Sequence, residues 1–155
     1  MHFRLDTKGH LLEHVEPKSK FPKKTFDHKN LIVSAISCYK LKQMEKCDVF
    51  GGHSKISWFD HDAFISPLMK NCAEHFHYLS TGKIVPSEKL KCRRDKARAR
   101  LTIYKLNLNS NYLVNLRKTW ISKTLEIVEN LKLFAEGELL PVADRLRPFH
   151  SALRQ

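Results

Sequence analysis

"HLLEHVEPKSKFPKKTFDHKNLIVS", residues 10–34, is the stretch on which the reading of this chain turns. It sets a carboxylate beside an imidazole at Glu13-His14, continues through prolines and lysines, and closes with Asn30 ahead of an apolar run. Just upstream, Phe3 and Leu5, the "DTKG" of residues 6–9, and then Leu11, Leu12 and Val15 read as two short strands around a Gly-closed turn. Glu13-His14 then falls near the far end of a β-hairpin. Pro17 stops the second strand, and residues 17–29 form a basic loop whose two prolines favour extended backbone. In "NLIVSAISCYKLKQMEKC", residues 30–47, strand and helix compete, and the expectation is a short helix or mixed turn opened by Asn30.

Downstream, "DVFGGHSK" places two glycines before His53, so the backbone can turn sharply and deliver that histidine to a following helix or loop. Residues 57–86 look irregular, with a hairpin turn at "LSTGKIV" around Gly82. Leu113, Leu116, Trp120, Thr124, Ile127, Leu131 and Phe134 recur at three and four residues, the apolar stripe of a long helix. A helix over about 95–106 precedes it, and "NLNSN" breaks the two apart with side chains suited to capping.

The chain has 155 residues, enough for one domain with a real core and too few to expect two. Its 28 Lys and Arg against 16 Asp and Glu leave a formal charge of +12, spread along the sequence. That balance favours a polyanionic partner, nucleic acid before membrane. "MHFRLDTKGH" has no signal-peptide core, and no run approaches the roughly 18 to 20 apolar residues of a membrane span, so a cytoplasmic, soluble protein is expected. Cys38, Cys47, Cys72 and Cys92 match no compact disulfide framework and read as thiols or metal ligands.

A hairpin ending in a carboxylate and a histidine, a loop, an asparagine, and a later histidine reached through glycine is the order of parts in a ββα-metal nuclease. Phosphodiester hydrolysis needs a base to activate water and a divalent ion to neutralise charge on the phosphate and the leaving 3′ oxygen. His14 suits the base, because an imidazole titrates near neutrality. Glu13 offers a hard oxygen and His53 a ring nitrogen, a mixed ligand set that would accept Mg²⁺, Mn²⁺ or a borderline transition ion. Asn30 would fix the loop by side-chain to backbone hydrogen bonds and so hold His14 in its working direction.

"LLEHVEPKSKFPKKTFDHKNLIVS" resembles the "EH…PKS…NL" core of HNH endonucleases. With "CDVFGGHSK", "FISPL…EHFHYLSTGKIVP" and "ARARLTIYKLNLNSNYLVNLRK", the succession is similar to the HNH nucleases of bacterial anti-phage defence, in particular the nuclease subunit of Septu-type and some retron-associated systems. The resemblance runs over about residues 11–117. It implies a small ββα-metal site, a divalent cation and an ATPase partner. Such proteins commonly carry a Cys-x-x-Cys pair before the EH element, which with two later cysteines holds structural Zn²⁺. No cysteine precedes Glu13 here, and Cys38 and Cys47 alone do not complete the four-ligand tetrahedron of structural zinc. Either the hairpin is stabilised by packing on the long helices or an upstream segment has been lost; His2 or His10 could stand in as zinc ligands.

Each residue also has a plainer role. Glu13-His14 could be a surface pair, Asn30 a turn or cap residue, His53 a turn histidine, and Trp120 packing. His75 and His77 read as structural or nucleic-acid-facing, and Cys72 and Cys92 as ordinary thiols. Lys18, Lys20, Lys23 and Lys24 follow the base, where a phosphate backbone would lie, and "KLKCRRDKARAR" has seven Lys or Arg in twelve residues. The expectation is an α+β domain over 1–155: a hairpin and loop core at 1–56, an irregular connector at 57–94 and a helical part at 95–155. Its function would be metal-dependent hydrolysis of DNA, or of RNA, with His14 as base, Asn30 orienting it, Glu13 and His53 on the metal, and Lys18, Lys20 and Lys55 on phosphates. The rival expectation is a degenerate HNH-like scaffold that binds nucleic acid or a partner without cutting.

Overall fold

The first described element is a four-residue strand: β1, Leu11–His14, pairs antiparallel with β2, Leu31–Ser34, in the register Leu11↔Ser34 to His14↔Leu31. The computed structural model describes residues 11–34 and 38–135. Phe3, Leu5 and the turn after them, expected to form the other arm of the hairpin, lie outside these residues, as do His2 and His10. The expected helix or mixed turn after Asn30 is corrected: Leu31, Ile32 and Val33 are strand, and a short helix, α1, is described at Cys38–Gln43. Branched side chains suit the pleated surface better than a helix, and β1 supplies the partner.

The loop joining the strands is a succession of turns, not the extended segment its prolines suggested. Lys20 and Phe21 both donate their amides to the Pro17 carbonyl, and 3-10 turns follow at Pro22–Lys24 and His28–Asn30. Pro22 opens the first of these, where a fixed φ and a missing amide cost nothing.

Beyond a second short helix, α2 at Gly52–Lys55, the stretch read as an irregular connector supplies three members of the five-residue apolar core. Ile65, Phe76 and Ile84 pack with Ala99 and Ile103, and Met69, Tyr78 and Leu108 close over them. Phe76–Tyr78 (β3) and Ile84–Pro86 (β4) pair around Gly82, as the "LSTGKIV" reading expects. Gly82 has φ +82, and a Cβ on it would sit 2.3 Å from the Val114 carbonyl oxygen, so only glycine lets this turn meet the next helix. Asn111–Ala135 (α4) is the long helix expected from the apolar spacing, and Arg93–Lys105 (α3) the helix expected before it over about 95–106. Ser110 ends the break between them, its hydroxyl accepting from the Leu113 amide at 3.4 Å. Buried Arg117 on α4 donates to the carbonyls of Gly82 at 3.0 Å and Leu108 at 2.7 Å.

One joint fixes the segment leading into α2 against the α3–α4 break. Asn107, at φ 49, donates from its side chain to the carbonyls of Cys47 at 2.7 Å and Val49 at 2.8 Å. Asp48 accepts from the Tyr112 amide, Gly51 donates to the Leu106 carbonyl, and the Phe50 and Tyr112 rings stack at 6.0 Å. The described residues form a small α+β protein with two short antiparallel sheets and four helices. Among the described residues no helix is long and apolar enough to cross a membrane.

Candidate functional site

The glycine pair is the hinge on which the site is assembled. Gly51, at φ 69, turns the chain into α2, and the Gly52 amide donates to Glu13 Oε2 at 2.8 Å. A Cβ on Gly52 would come within 2.6 Å of the same oxygen, so any other residue there would push the carboxylate off the Gly52 amide. Three residues on, the Lys55 ammonium donates to the Val15 carbonyl at 2.8 Å. Two bonds thus seat the short helix on the exit of β1. Lys55 is only 7% exposed; burial pushes its ammonium below the usual lysine value, and the Glu13 carboxylate opposes that shift.

His14 ends β1 with its Nε2 2.9 Å from the Thr25 carbonyl oxygen. A carbonyl can only accept, so Nε2 carries the hydrogen in this bond and the neutral ring keeps its lone pair at Nδ1. The Thr25 carbonyl is itself held by the loop. Asn30, 3% exposed, accepts from the Glu16 amide at 2.7 Å and donates to the carbonyls of Glu16 and Lys24, each at 3.1 Å. Lys24 in turn bonds both Glu16 carboxylate oxygens, at 2.7 and 2.9 Å. Phe21 meets Phe59 edge-on at 5.7 Å and so packs the loop against residues beyond α2.

Glu13, His14, Lys18, His53, Lys55 and Ile56 line one open cleft of about 400 Å³ between β1 and α2. It gathers most of the residues singled out in the sequence. Asn30 acts from outside it, through the loop, and exposed Lys20 is not among its lining residues. Lys55 departs from its expected place on a phosphate: buried and bonded to Val15, it braces the strand exit. Lys18 is exposed and lines the cleft.

Among the described residues no three His, Cys, Asp or Glu side chains are gathered so as to hold a metal by themselves. Glu13 and His53, the two residues expected to hold a metal, both line the cleft, and the Glu13 carboxylate accepts from the Gly52 amide. For structural zinc, Cys47 is exposed and bonds Glu45 Oε2 at 3.5 Å, which chiefly accounts for the raised pKa of its thiol; the Cys38 side chain lies outside the described residues. His75 is structural, 5% exposed with Nδ1 3.0 Å from the Asn71 carbonyl oxygen. Cys72 packs on the core, and burial raises its thiol pKa.

Sequence reasoning missed three participants: the Gly52 amide, the Thr25 carbonyl and Ile56. The first two are backbone groups and leave no mark in residue type. Ile56 is an exposed aliphatic that residue type does not distinguish from any other surface isoleucine. A scan against protein-family models gives no match for this chain, and a search of curated proteins gives none.

Proposed function

We propose that the cleft is the centre of a metal-dependent HNH-type endonuclease that hydrolyses phosphodiester bonds in DNA, working in the cytoplasm as the effector of an anti-phage defence complex with an ATPase partner. The chemistry rests on one observation: Glu13, His14 and His53 line the same cleft, with His14 fixed through Nε2 so that Nδ1 is the basic atom. The defence setting and the ATPase rest on the sequence resemblance.

In this reading His14 Nδ1 takes the proton from the water that attacks phosphorus. Thr25 and Asn30 keep the ring from turning away, and Lys18 receives a flanking phosphate. Glu13 and His53 would hold Mg²⁺ or Mn²⁺, which supplies charge neutralisation on the scissile phosphate and on the leaving 3′ oxygen. The test is incubation of the protein with supercoiled plasmid, and separately with RNA, in Mg²⁺ or Mn²⁺, with and without EDTA and a candidate ATPase. Nicking of DNA that EDTA stops and His14→Ala removes, with circular dichroism unchanged, is the expected result. Full-rate cleavage by His14→Ala would take the residue out of the mechanism.

A second reading, a scaffold that binds nucleic acid or a partner without cutting, is favoured by the commitment of the Glu13 carboxylate to the Gly52 amide. No cleavage in either metal, with or without the ATPase, would select it.

A further inference from the structure

Ile56 is a β-branched residue with positive φ, at φ 52 and ψ −114. The Trp58 amide donates to the Lys55 carbonyl at 2.8 Å, which makes Ile56 the first central residue of a turn close to type II′, a position glycine normally takes. A β-branched side chain crowds its own backbone there, so the conformation costs stability wherever nothing is gained from the side chain. Packing within the molecule does not explain it, because Ile56 is 76% exposed. Its backbone, by contrast, is tightly held: its own amide donates to the Gly52 carbonyl at 3.0 Å, which ends α2.

The location is specific. Ile56 lines the cleft that also contains Glu13, His14 and His53, and Leu12, another exposed aliphatic at 55%, lines it too. An aliphatic lip on a strongly cationic protein, with Lys18 beside it, is a combination that meets nucleic acid in two ways at once. The cation takes the phosphate and the branched side chain takes an apolar surface.

We infer that Ile56 is a wedge residue, held in a strained turn so that its side chain enters duplex DNA at an unstacked base step beside the bond to be cut. The inference rests on the reading of the cleft as a DNA-cleaving site and deepens it, because it names the substrate class: duplex carrying a mismatch, bulge or other poorly stacked step. Such a step has already given up the stacking that a wedge must disrupt, so it admits the side chain at least cost.

Binding is measured by fluorescence anisotropy with the metal chelated by EDTA, on a perfectly paired duplex and on the same duplex with one mismatch. Wild type should prefer the mismatched duplex by about tenfold. Ile56→Gly should lose that preference, while its Tm rises by about 3 °C or more because glycine relieves the turn. Ile56→Leu, which restores apolar bulk, should regain it. Retention of the preference by Ile56→Gly, its absence in wild type, or a Tm for Ile56→Gly no higher than wild type would each overturn the inference. Because no cleavage is needed, the two readings fail separately. His14-dependent cleavage without a mismatch preference removes the wedge alone, whereas a preference lost in Ile56→Gly without any cleavage removes the nuclease alone.

Discussion

Asn30 shows how much a single amide side chain can organise. Its oxygen and nitrogen satisfy three backbone groups of the loop, and one of these, the Lys24 carbonyl, adjoins the Thr25 carbonyl that meets His14. Truncation to Ala leaves those groups buried without partners, a loss of about 2–4 kcal/mol in urea unfolding, from roughly 1 kcal/mol per bond plus desolvation. Under the proposed mechanism it also slows cleavage, because the ring loses its orientation. The sequence made Asn30 legible as a residue that bonds the local backbone, since asparagine before an apolar run does little else. It could not tell Lys55 from its neighbours: a lysine in a basic chain reads as solvated, and only the close approach of α2 to Val15 buries it. That burial has a pH signature. Lys55 holds its proton less tightly folded than unfolded, so between its lowered value and the ordinary 10.5 the unfolded state binds more protons and stability rises with pH. Comparing urea midpoints of wild type and Lys55→Met from neutral pH upward, the difference should shift in favour of wild type as 10.5 is approached.

Among the elements, those with a strong period were readable and those without were not. The stripe from Leu113 to Leu131 is half-buried along α4 at helical spacing, and α3 ends at the break its asparagines marked. Leu31–Ser34 has no such period. A short apolar run carries the same pattern in a buried helix as in a strand, and the pairing with Leu11–His14 is made across a long loop. The glycines carry more than turn geometry. Gly82→Ala places a methyl 2.3 Å from the Val114 carbonyl at a positive φ, and should cost about 3 kcal/mol or more, read as a lowered thermal midpoint. Gly52→Ala presses on the flexible end of Glu13 instead, at 2.6 Å, so the carboxylate can swing aside. Under the proposed mechanism its expected result is a modest stability loss with a disproportionate loss of metal-dependent cleavage, measured on the same preparation.

At the scale of the whole molecule, net charge and fold act separately. The charge of +12 was readable from composition and bears on association. If the cleft and loop engage a phosphate backbone, log K against log salt should fall with a slope near −0.9 for each phosphate neutralised, and Lys18→Ala should reduce that slope by about one. How the two parts of the chain meet was not readable, because the joint consists of side-chain to main-chain bonds between distant residues: Asn107 with Cys47 and Val49, and Asp48 with Tyr112. The β1–β2 pair contributes no residue to the Ile65, Phe76, Ile84, Ala99 and Ile103 cluster, and Val15, just past β1, is its nearest buried apolar neighbour in sequence. Amide exchange should therefore be faster along β1 and β2 than along α3, through openings that leave the rest of the protein native. Mild denaturant would then open the cleft well before the helices melt, so a sample could pass every bulk test of integrity with the cleft already undone.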